Sequence, residues 1–253
     1  MKIFKNLTNS ISFVVITVSF LFWMILLFDP LNIMGGHSGH GSHGGHEGHM
    51  EMTNTTNTAI ISGLMIGWII MVVAMMLPKL ISPIEHIYLK SLKRKRISSI
   101  ILFITGYVFI WTIVGLFMNL IIVTLTNKMP GSYIPALIIG GIAIVWQFSP
   151  IKQRFLNLGH DHRAIKAFGW SASKDACLFG MEHGIWCFGS GWALMWFPML
   201  LPQGHNLAML LVMFMMVSEH MEQPQLPRWR FDFRMKLWRI LKAQTKLKLS
   251  QTL

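Results

Sequence analysis

The sequence predicts an all-α fold, a polytopic membrane helix bundle of six transmembrane helices with both termini in the cytoplasm. Three observations carry that prediction. Hydrophobic residues make up 53% of the chain and charged residues only 13%, against roughly 25% charged in a soluble domain. Apolar runs recur at residues 11–28, 60–78, 99–125, 134–150, 176–200 and 204–221, each near the length of about 17–25 residues that crosses a bilayer. Basic residues alternate between the loops as the positive-inside rule demands. With the N-terminus inside, every Lys and Arg except Lys128 faces the cytoplasm. The net charge of +12 therefore reads as a membrane-facing collar drawn to anionic headgroups. No nucleic-acid reading motif accompanies it, so the sequence predicts no nucleic-acid partner.

Residues 1–30 read as a signal-anchor helix. Lys2 and Lys5 precede an apolar stretch that runs to Phe28, Asp29 and Pro30 without a small-residue cleavage site. Residues 31–59 form a His/Gly-rich loop, which this topology places on the extracytoplasmic side of a cytoplasmic (inner) membrane. In it His37, His40, His43, His46 and His49 recur at every third position among glycines. Glycine at that density forbids a stable helix, whereas a short His-rich tract suits metal binding.

Residues 60–222 hold the remaining five spans, and residues 223–253 a basic cytoplasmic tail. Gly63 and Gly67 form a small-xxx-small pair suited to close helix approach, and Pro78 ends the second span. The 79–97 segment, with its LKSLKRKR run, reads as an amphipathic turn on the inner surface. The third span carries Gly106, Tyr107 and Trp111, and the fourth ends in WQFSP. The tail after Pro227 is too densely charged for a seventh span and reads as surface-lying.

The chemistry concentrates on the last two spans. The fifth holds Glu182 and His183 inside its apolar run, at a cost of about 2.5–3.5 kcal/mol for an acidic residue at mid-membrane. His183 and Cys187 are four residues apart and share a helical face. Imidazole and thiolate both suit zinc and copper. Cys177 lies ten residues before Cys187, about 15 Å along a continuous helix and too far for a disulfide. Glu219 and His220 sit near the inner end of the sixth span, at a depth that lets them meet the fifth. Glu182, His183, Cys187, Glu219 and His220 thus form a candidate intramembrane metal site. The alternative is a set of polar pairs, His183 with Glu219 or Glu182 with His220, that only satisfy one another's burial. A proton or substrate relay is a third reading. The 20 methionines, clustered in the second and sixth spans, read either as soft Cu(I) ligands or as ordinary core filler.

The segments WIIMVVAMMLP (68–78), GYVFIW (106–111), WQFSPIK (146–152) and GMEHGIWCFGSGWALM (180–195) resemble the DUF2182 family of predicted metal-binding integral membrane proteins, over roughly residues 60–222. Cys187, Gly189, Trp192, Leu194 and Met195 match that family's pattern. Ser190 and Gly191 stand where its members often carry cysteines, and Glu219-His220 stands near a usual Glu-Lys pair. The resemblance implies metal binding, through a His/Glu/Cys set rather than a thiolate-rich one.

Together these readings predict a membrane protein that handles a late transition metal ion. Copper is favoured, with zinc or nickel fitting the same ligands. The outer His loop would capture the ion and the intramembrane site hold it, for storage, delivery or passage. The lipid bilayer, the metal ion, membrane protein partners and a homo-oligomer are the predicted partners. The rival prediction is a structural or assembly subunit of a larger membrane complex. No separate nucleophile or acid–base signature points to an enzyme.

Overall fold

Each of the six apolar segments folds as a helix in the computed structural model, which describes residues 2–28, 53–161, 163–166, 169–229, 231 and 236–252. The helices are α1 (Lys2–Phe28), α2 (Thr53–Met76), α3 (Ile81–Lys90), α4 (Arg96–Lys128), α5 (Ile134–Gln147), α6 (Pro150–Leu158), α7 (Gly169–Met199), α8 (His205–His220) and α9 (Lys236–Thr252). There are no strands among the described residues. The histidines of the outer tract, His37, His40, His43, His46 and His49, lie outside the described residues.

Three stretches are long and apolar enough to cross a membrane: Ser10–Phe28, Ser62–Lys90 and Lys93–Leu125. A fourth qualifies if α5 and α6, bent by 71°, count as one span. α7 has the length, at 31 residues, but Glu182, His183 and its glycines and tryptophans dilute its apolarity. α8 has only 16 residues. Large apolar side chains point outward along α1, α4 and α5, among them Phe13, Phe20, Phe117, Leu137 and Ile144. An exposed apolar belt of this kind is what a lipid-facing surface requires. The chain is an all-helical membrane protein.

α7 is the central strut and packs against α4, α5, α6 and α8, while α1 lies against α2 and α3. The α4–α7 seam is the tightest contact in the bundle. A Cβ on Gly180 would stand 2.0 Å from the Phe103 carbonyl oxygen, and one on Gly106 would stand 2.4 Å from that of Cys177. Two glycines, one on each helix, thus bring backbone against backbone. Gly184, one turn on, sits against Ile110 and the Tyr107 carbonyl. Gly180 and Gly184 thus form a small-xxx-small pair that serves close helix approach on α7. At Gly63 on α2 the expected close approach does not occur, since nothing lies within 4 Å of the position a Cβ would take.

Two loop expectations need correction. Pro78 does end α2, but the chain continues through a 3₁₀ turn, Leu77–Leu80, into α3, which buries Ile84 and Ile87. The 79–97 segment is thus mostly a packed helix. The break between α5 and α6 is also built in. Ser149 caps α6 by accepting the Lys152 N–H at 3.1 Å, and Pro150 takes the first helical position, where its missing N–H costs nothing. As a result Lys152 is fully buried and Lys79 nearly so. Neither belongs to the exposed basic collar in which the charge count placed it.

Candidate metal centre

The side chains around Cys187 come from four parts of the chain. Cys187 is buried on α7. Tyr107 on α4 donates its hydroxyl to Cys187 Sγ at 3.1 Å. Lys79, in the turn after α2, donates Nζ to the same sulfur at 3.5 Å. The last residue of α2, Met76, lies with Sδ 3.8 Å from Sγ. Two donors, one of them a lysine, and a thioether therefore converge on one buried sulfur. Pro78 halts α2, and the 3₁₀ turn that follows places Lys79 against α7 beside Met76, the last residue of the helix.

His183 lies one turn before Cys187, and both line a small cavity together with Lys79, Ser190 and His220. Its volume, about 10 Å³, is that of a single water. The His183 ring is enclosed by Phe103, Tyr107 and Phe179, with centroids 6.1 Å away in each case. His220 meets it edge-on at 6.1 Å and 87°. On its other face His220 stacks on His160 at 5.0 Å and 25°. His160 is itself fixed, with Nδ1 2.8 Å from the Leu156 carbonyl and Nε2 3.0 Å from that of His220.

The two candidate carboxylates go elsewhere. Glu219 is buried and ion-paired with Lys152 at 2.8 Å, and it also accepts from the Gln147 amide. Glu182 pairs with Arg163, and both side chains remain about one-third exposed. Each carboxylate has a cation for a partner, on a segment that the helix spacing did not bring into view. The structure thus joins His183, Cys187 and His220 and leaves Glu182 and Glu219 apart. Among the described residues no group of three or more His, Cys, Asp or Glu side chains is placed to hold a metal ion. Cys177 and Cys187 are both free thiols.

Sequence reasoning missed Lys79, Tyr107 and His160 as neighbours of the site. Tyr107 had a signal, since it shares the GYVFIW segment with Gly106. Lys79 had none, because a lysine after a span reads as a cytoplasmic anchor. Met76 was noted only as one of a cluster. As donors, a thiol, a thioether and an imidazole fit copper in its reduced state better than they fit a hard ion.

Comparison with known proteins also points to copper. A family model described as the copper chaperone PpoB2 matches residues 65–230, nearly the stretch that carries the DUF2182 resemblance. No curated protein matches the chain, and no solved structure does. The match covers more than half of the sequence, from α2 to beyond α8, and on that ground the chain belongs to the PpoB2 copper chaperone family.

Proposed function

We propose that this protein is a copper chaperone of the cytoplasmic membrane whose cargo, Cu(I), is held by Cys187 and Met76, with His183 closing the site from the same face of α7. The observation that carries the reading is the 3.8 Å approach of Cys187 Sγ to Met76 Sδ at buried positions on separate helices. Thiolate and thioether are the soft donors that select Cu(I). Phe103, Tyr107 and Phe179 pack around the imidazole and fix its plane. Lys79 balances the negative charge that a bound thiolate carries. Glu182 and Glu219 drop out of the ligand set, because each is committed to a cation.

In this reading the chain crosses the membrane six times, α7 and α8 being the last two spans, and the His-rich loop lies outside. α7 is tolerated in the membrane because His183, Cys187 and Ser190 are buried in the bundle and Glu182 is paired with Arg163, as intramembrane polar residues usually are. The loop gathers copper weakly, and the Cys187–Met76 site holds it for a recipient. Specificity thus resides in the bundle and capture in the loop.

Titration of the detergent-purified protein with Cu(I) against a chromophoric competing chelator tests the site. The five tract histidines are replaced by Ala in every sample, so that only the bundle reports. The expected result is one tight equivalent, lost in C187S and weakened in H183A. A C187S protein that keeps the tight equivalent overturns the assignment.

A further inference from the structure

α2 and α8 both end at the cavity beside Cys187, since Lys79, just beyond α2, and His220, the last residue of α8, line it together. Each helix carries buried methionines upward from that end. On α2 these are Met76, Met75 and Met71, and on α8 Met216 and Met209. None is more than 2% exposed, and all belong to one continuous core. At 1.5 Å per residue the α2 row rises about 7.5 Å and the α8 row about 10.5 Å, so together they cover about a third of a 30 Å hydrocarbon layer. α2 and α8 are in contact, and both rows lie in the same buried core. The lower end is joined to the site by the Met76–Cys187 contact at 3.8 Å. Gly191, one turn along α7 from Cys187, leaves the space that the end of Met216 fills, for a Cβ there would stand 2.1 Å from Met216 Cε. The site thus has thioethers leading away from it toward the outer ends of both helices.

We propose that these methionines form a thioether relay through which Cu(I) passes between the outer half of the bundle and Cys187, so that the protein conducts copper into or out of its own site rather than loading only from the inner face. The proposal rests on the reading of Cys187 and Met76 as the copper site. A bare cation in an apolar interior is strongly disfavoured by its lost solvation, so an ion crossing this region needs a ligand at every step. Methionine supplies a neutral, soft donor on a flexible side chain, which lets one sulfur release the ion as the next receives it. The ion remains Cu(I) throughout, and no electron or proton is transferred along the row.

Leucine separates relay from packing, because it keeps volume and apolarity while removing the sulfur, and volume-conserving exchanges of this kind are the best tolerated in a core. The protein with its five tract histidines replaced by Ala, taken as wild type here, and M71L, M209L, the M71L/M209L pair and C187S in the same background are reconstituted into liposomes with a fluorescent Cu(I) chelator trapped inside, and Cu(I) is added outside. Equilibrium Cu(I) binding is measured on the same proteins in detergent. The expected result is copper entry above that of protein-free liposomes, slowed about tenfold in the pair and less in each single variant, with equilibrium binding unchanged in all three. C187S loses binding and entry alike. Entry at the wild-type rate in folded M71L, M209L and the pair overturns the relay and assigns those methionines to packing, while the copper site stands if C187S has lost binding. Wild-type entry no faster than in protein-free liposomes also overturns the relay. Full binding by C187S overturns the copper site itself. Should the pair not fold, the single variants carry the comparison.

Discussion

Lys152 and Glu219 form an ion pair with Nζ 2.8 Å from Oε2, and neither side chain is more than 2% exposed. Lys152 also donates to the Gln147 side-chain oxygen at 2.5 Å, so the charge is held across the α5–α6 break. The pair ties that bend to the inner end of α8. Removing one partner of such a pair leaves an uncompensated buried charge, at about 3–5 kcal/mol. E219A should lower the unfolding midpoint in mild detergent accordingly. The all-apolar K152M/E219L protein should recover most of that loss and still bind one equivalent of Cu(I). A folded K152M/E219L protein without copper would return Glu219 to the ligand set.

Glu182 provides the contrast. Its partner Arg163 leaves both side chains about one-third exposed, and exposed pairs contribute only about 0–1 kcal/mol. E182Q should therefore leave stability within 1 kcal/mol or so of wild type and leave copper stoichiometry untouched. Side-by-side denaturation and copper analysis check both halves, and a lost equivalent of copper would contradict the assignment.

The α4–α7 seam predicts unequal glycines. At Gly180 the intruding Cβ meets the Phe103 backbone, which cannot move aside as a flexible side chain could. G180A should destabilise the bundle by about 1–3 kcal/mol through overpacking. G141A meets nothing within 4 Å and should gain up to about 1 kcal/mol from the restricted unfolded chain. Thermal unfolding of the two variants in one detergent gives the comparison, and equal shifts would mean that the seam is looser than described.

How far the chain could be read in advance follows from what each feature depends on. The six helices were legible because apolar runs bounded by Pro, Gly and charge are local signals, and each run did become helical. The shared face of His183 and Cys187 was legible too, since it needs only the period of a helix. Partners across the bundle were not. Glu182 meets Arg163, and Glu219 meets Lys152, because a connecting segment folds back on the helix ends, and spacing within a span carries no trace of that. Lys79 and Lys152 read as collar residues because a lysine beside a span usually reaches water. Here the 3₁₀ turn after α2 and the cap at Ser149 turn both inward. Gly63 and Gly180 carry the same local pattern, and only the neighbouring helix separates the one with open space from the one in backbone contact.

The measurement that bears most directly on the copper site is the copper X-ray absorption spectrum of the Cu(I)-loaded protein whose five tract histidines are replaced by Ala. Cys187 and Met76 as ligands predict a sulfur scattering shell that is weakened in M76L and absent in C187S. A spectrum of nitrogen and oxygen neighbours alone, unchanged by C187S, would contradict the site.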